Sequence, residues 1–96
     1  MNRIIWDPVA VLHMWDRHGV SPAEAEEALS DPEALMQSPD PASRSKKSDR
    51  YIGWSPSRGE VLVVIVIRHH DQLFGGNAWA ANSTQRALYE GRRNNG

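Results

Sequence analysis

Two short helices with a forced turn between them are written into residues 6–32, and nothing else in the chain limits the fold as strongly. Trp6-Asp7-Pro8 opens the block. Asp7 is placed to cap a first helix, with Pro8 at the first helical position, where its missing N–H costs nothing. Gly19 supplies the left-handed residue that closes that helix. Ser21-Pro22-Ala23-Glu24 has the spacing of a capping box, and Asp31-Pro32 stops the second helix. The spacing predicts helices over about 8–17 and 22–30. In the first, Val9, Leu12, His13 and Asp16 share a stripe that Val11, Met14 and Trp15 widen. In the second, Ala25, Ala28 and Leu29 form the apolar side.

Beyond residue 32 the periodicity changes. Residues 3–6 and 33–37 suit short strands, the second at an edge. The stretch 38–48 is a Ser-, Pro- and Lys-rich loop by composition. Residues 49–68 read as a hairpin around Ser55-Pro56-Ser57-Arg58-Gly59. The β-branched run 61–67 suits a strand covered on both faces. A further strand over 73–80 is interrupted by Gly75-Gly76, a sign of a bulge or of a close approach. Asn82-Ser83-Thr84-Gln85 opens a third helix expected to end at Gly91, with 92–96 as a frayed tail. The order β-α-α-β-β-β-β-α makes one α+β domain over 1–91, with helices on one face of a small antiparallel sheet.

Register decides what the hairpin can do chemically. A four-residue loop pairs Trp54 with Val61 and puts Arg50 and Arg68 on opposite faces. A five-residue loop pairs Trp54 with Glu60 and puts both arginines on one face, opposite Tyr51, Gly53, Val61, Val63, Ile65 and Ile67. The second solution sorts polar from apolar residues better, so it is the expectation. It makes the face bearing Arg50 and Arg68 the working face.

The chain has 96 residues and no cysteine, so neither a disulfide nor a thiolate metal site is open to it. No His-x-x-x-His motif or carboxylate triad supports a metal centre or another cofactor. The longest apolar run has the length of a strand, not of a membrane span, and no signal-peptide layout is present. A cytoplasmic protein without a membrane partner is the expectation. The net charge of −1 is unevenly spread. Residues 1–37 carry seven acids against two arginines, a net of −5, and residues 38–70 carry a net of +3. That balance argues against binding nucleic acid through uniform charge and leaves room for a local basic face.

The ordered motifs resemble those of BrnT-like toxins of type II toxin–antitoxin pairs. The matching residues are Trp6-Asp7, His18-Gly19-Val20-Ser21, Glu24-Ala25, Asp31-Pro32, Asp49-Arg50, Ile52-Gly53, Arg68 and Gln85-Arg86 with Tyr89. The resemblance implies a RelE/ParE-like fold and a metal-independent endoribonuclease that cleaves mRNA and is neutralised by a cognate antitoxin. Two positions depart from the family. Trp79 stands where a family arginine falls, and Gln85 stands where a glutamate does. They support an alternative, a non-catalytic member that serves as a protein-binding or nucleic-acid-binding module.

Candidate residues follow. Arg50 and Arg68 suit phosphate binding, because a guanidinium forks onto phosphate oxygens. His69 or His70 suits proton transfer, with at most one of them on the arginine face. Arg44, Lys46 and Lys47 suit an electrostatic clamp for RNA. His13 and His18 read as structural. Trp6 and Trp15 are expected in the core, and Trp54 and Trp79 as anchors for a partner. The outward side of strand 61–67 predicts a bound partner or self-association into a homo-oligomer.

Overall fold

The computed structural model describes residues 3–95, with side chains through Gly91. Its elements are β1 (Ile4–Trp6), α1 (Pro8–His18), α2 (Pro22–Leu29), β2 (Leu35–Gln37), β3 (Ser48–Ser55), β4 (Glu60–His69), β5 (Gln72–Ala80) and α3 (Ser83–Asn95). They form an α+β fold. One five-stranded sheet runs in the order β1-β5-β4-β3-β2. Four strands are antiparallel, but β1 lies parallel to β5, so the sheet is mixed.

The punctuation forms as read. Asp7 accepts the Val9 N–H at 2.9 Å. Gly19 adopts φ 64°, and its N–H reaches the Trp15 carbonyl. Ser21 and Glu24 exchange both bonds of the capping box. Asn82 and Gln85 do the same ahead of α3, at 2.9 and 2.8 Å. Gln85 therefore fills a capping role for which glutamine and glutamate are equivalent. The third helix does not end at Gly91. It continues to Asn95, and Gly96 and the side chains of 92–95 lie outside the described residues.

The helices lie on both faces of the sheet, not on one. On the first face, Met14, Val20, Ala25 and Ala28 of the α1–α2 layer meet Leu62, Val64, Val66 and Ala78. On the second, Tyr89 of α3 closes over Ile52, Val61, Val63 and Ala81, with Leu35, Ile65 and Trp79 at the margin. Val61, Leu62, Val63 and Val64 are all buried, so no apolar side of this part of β4 is left open for a partner; only Ile67 remains exposed.

Two close approaches fix the layers. A Cβ on Gly53 would collide with the Ala28 carbonyl, so α2 sits directly on β3. A Cβ on Gly75 would enter the Trp6 ring, and Gly76 is the extra residue that shifts β5 against β4 between Ile65 and Val66. Gly75-Gly76 is thus a seat and a bulge together.

Helix α1 is rotated away from its expected orientation. Met14 is buried, with Ala10 and Val11 half-buried beside it, whereas Val9, Leu12, His13 and Trp15 face outward. Trp15 is therefore no core residue, and His13 is not packed. Trp6 does join the first core from its edge and donates its indole N–H to Glu26 at 3.1 Å.

Candidate functional site

The hairpin closes through a four-residue loop, with Ser55 opposite Glu60 and Trp54 opposite Val61. This overturns the expected register. Arg50 pairs with Ile65, and Arg68 stands three residues farther along β4, so side-chain alternation puts the two arginines on opposite faces. The shared arginine face does not exist. Gly59 at φ 66° closes the tighter loop, and its N–H reaches the Ser55 carbonyl at 2.8 Å.

Arg68 belongs to the α1–α2 face, at the far end of β4. Its Nε donates to Asp49 Oδ2 at 3.0 Å and its Nη2 to Asp49 Oδ1 at 3.2 Å, a two-pronged ion pair. Nη2 also reaches the Lys46 carbonyl at 2.9 Å. The Asp49 side chain is nearly buried and also accepts the Ser38 hydroxyl at 2.6 Å. These bonds aim the guanidinium and leave Nη1 without a partner among the described residues. Tyr51, on the same face, has its phenol pKa raised by burial and next by the Asp49 carboxylate, with Arg68 opposing, so it remains a neutral hydroxyl.

His69 ends β4 opposite Gln72, and a two-residue turn follows in which His70 (φ 49°) and Asp71 (φ 63°) are both left-handed. The two imidazoles meet edge to face at 4.1 Å, and His69 also lies 6.5 Å from the Phe74 ring. Lys47 borders the same place, because the Arg68 N–H bonds its carbonyl at 2.7 Å. Lys47, Arg68, His69, His70 and Asp71 line one open depression of about 600 Å³. Both histidines reach it, which strand alternation had argued against. The turn removes that limit, since His70 lies beyond the strand.

Arg50 lies apart on the second face. It makes a 3.0 Å ion pair with Asp40, whose side chain is also nearly buried. Its guanidinium carbon sits 5.8 Å from the centre of the Trp79 ring, and the His18 ring tilts against the same tryptophan at 6.1 Å. Trp79 is half-buried in this stack and not an open anchor, whereas Trp54 is exposed beside Pro32 and Pro56. The Nε of Arg50 and the Oε1 of Gln37, its partner across β2 and β3, are buried without hydrogen bonds. Of the three loop cations, Lys47 lines the depression, Lys46 gives its carbonyl to Arg68, and Arg44 is exposed elsewhere on the loop.

Sequence reasoning missed two polar hubs. Asp31 accepts the Trp54 N–H at 2.8 Å, the Glu33 N–H at 2.8 Å and the Tyr89 hydroxyl at 2.5 Å, joining α2, β3 and α3. Glu27 accepts the hydroxyls of Ser55 and Ser57 and the Ser57 N–H, and these bonds hold its carboxyl below the usual range, the Ser57 hydroxyl most strongly. The signal available for Asp31 was its place in Asp31-Pro32, read only as a helix stop.

Among the described residues no three His, Asp or Glu side chains are grouped so that they could hold a metal ion, and no helix is long and apolar enough to cross a membrane. No family model and no curated protein matches the chain.

Proposed function

We propose that the chain is a BrnT-like toxin that acts on RNA at the β4–β5 end of its sheet, within a cytoplasmic toxin–antitoxin pair. The observation that carries this reading is the gathering of Lys47, Arg68, His69 and His70 around one open depression. Metal-independent cleavage of RNA needs cations at the scissile phosphate and groups that move two protons. Lys47 and the free Nη1 of Arg68 suit the first task. The histidines suit the second, because imidazole exchanges protons near neutral pH. One takes the proton of the ribose 2′-hydroxyl as its oxygen attacks the adjacent phosphorus. The other gives a proton to the departing 5′-oxygen, leaving a 2′,3′-cyclic phosphate. Arg50 has no part in this step, since it faces the other side of the sheet.

Expression in a bacterial host tests the reading. The expected result is growth arrest with mRNA cleavage that survives Arg50→Lys and is lost in the His69→Ala, His70→Ala double variant. Undiminished cleavage in the double variant overturns it.

A second reading, the non-catalytic member, is favoured by one observation. Both arginines are ion-paired with nearly buried aspartates, and Trp79 stands where the resemblance implies an arginine. Neutralised cations stabilise a phosphorane poorly. Absence of growth arrest, with tight binding to the product of an adjacent antitoxin-like reading frame, is the result expected of that reading.

A further inference from the structure

We infer that the outward stripe of α1 is a docking surface for a basic amphipathic helix of a partner protein. Val9, Leu12 and Trp15 are the three most exposed large apolar side chains among the described residues, at 62, 68 and 61 %. Their spacing of three residues places them along one side of the helix, opposite the side that Met14 buries. Apolar side chains scattered singly need no explanation, but three on one two-turn stripe form a patch. Leu12, His13, Trp15 and Asp16 line a shallow depression of about 320 Å³ on this side.

Charge selects the occupant. Asp16 stands in that depression without an ion-pair or hydrogen-bond partner among the described residues. Residues 7–30, which make up the α1–α2 layer and its cap, hold five carboxylates against Arg17, a net of −4, of which Arg58 offsets one through Glu24. A second copy would set two such acidic layers against each other, and an anionic membrane would be repelled likewise. A helix with apolar residues at i, i+3 or i+4 and i+7 fits a stripe of this length, and a lysine or arginine beside its apolar row meets Asp16. This depression shares no lining residue with the one at the histidine turn, so the proposal stands whether or not the turn cleaves RNA.

The probe is a fluorescent helical peptide of Leu, Ala and Lys with one leucine stripe, measured by anisotropy against the full chain. Its control is the isostere with Glu for Lys. The basic peptide is expected to bind at least about tenfold more tightly than the acidic one. Leu12→Ser is expected to weaken it by about tenfold with a nearly unchanged melting midpoint, because Leu12 is mostly exposed and belongs to neither core in the free protein. Asp16→Lys is expected to weaken the basic peptide and strengthen the acidic one. Equal binding of the two peptides, or binding indifferent to Leu12→Ser, overturns the proposal. So does a concentration-dependent dimer that Leu12→Ser dissolves, or preferential binding to phosphatidylglycerol vesicles. If peptide binding fails while the chain still cleaves RNA, only this proposal falls. If cleavage fails while binding holds, only the ribonuclease reading does.

Discussion

The two ends of β4 are built on different principles. At the Glu60 end the charged groups beside the loop, Glu27, Arg58 and Glu24, are bonded within the protein itself. Glu27 takes three donors from the loop, and Arg58 bonds Glu60 at 2.6–2.7 Å, the Gly19 carbonyl at 2.8 Å and Glu24 at 3.4 Å. This end welds the hairpin to α2 and to the α1–α2 turn. At the His69 end the chain turns through two left-handed residues, and Lys47, His69 and His70 face an open depression. The same strand thus ends once in a closed polar weld and once in unspent polar groups. A polar group that folding does not consume is available for chemistry, and that difference points to the His69 end.

The largest effect is expected at Gly53, on the closed side. A Gly53→Ala side chain would strike the Ala28 carbonyl and lift α2 off β3, an overpacking cost of about 3 kcal/mol by denaturant unfolding. Near the open end, Arg68→Ala strips the nearly buried Asp49 of its cation, leaving it the Ser38 hydroxyl. A loss of about 2 kcal/mol is expected. Arg68 is therefore both a prop and a candidate phosphate ligand, and Arg68→Lys separates the two roles better than alanine does.

A smaller effect comes from pH. The carboxyls of Glu24 and Glu27 both lie below the ordinary value of 4.5, Glu24 chiefly through the Ser21 N–H and Glu27 chiefly through the Ser57 hydroxyl. Depressed carboxylates stabilise the folded state above their unfolded value, and that stability is lost as pH falls through their folded values. Acid unfolding followed by circular dichroism should therefore fall less steeply below about pH 4.5 in Glu27→Gln than in the parent chain. The smallest effect is expected from His69→Ala with His70→Ala. Both residues are exposed and only the left-handed φ of His70 adds a backbone cost for alanine, so the melting midpoint should correspond to a change within about 1 kcal/mol. A large destabilisation there would show that the open end is structural too.

The local grammar of the chain was legible. Asp7, Gly19, the Ser21–Glu24 box and the Asn82–Gln85 box are signals read within four residues, and each formed. The β4 register was not legible, because residues 61–64 are buried on both faces. Polar–apolar sorting then carries no phase information, and a slip of one residue looks better than the truth. What sets the register is long-range: Arg68 meeting Asp49, and Ser55 meeting Glu27. The rotation of α1 failed for a related reason. Its sequence offers two apolar arcs, and the larger one, with Leu12 and Trp15, is the one left outside. The site was legible only in part. Arg68-His69-His70 could be singled out as residues, but Lys47 joins them through a pairing between loop and strand that no local spacing announces.

The proposed site is tested most directly by asking whether, and where, RNA binds the chain. A short single-stranded RNA carrying 2′-O-methyl substitution at each ribose cannot be cleaved by 2′-oxygen attack and can be titrated into the isotope-labelled chain. Amide and imidazole shift changes are expected to centre on Lys47, Arg68, His69 and His70, with the surroundings of Arg50, Trp79 and His18 unmoved. Changes centred on Arg50 and Trp79, or none at the histidine turn, would contradict that site.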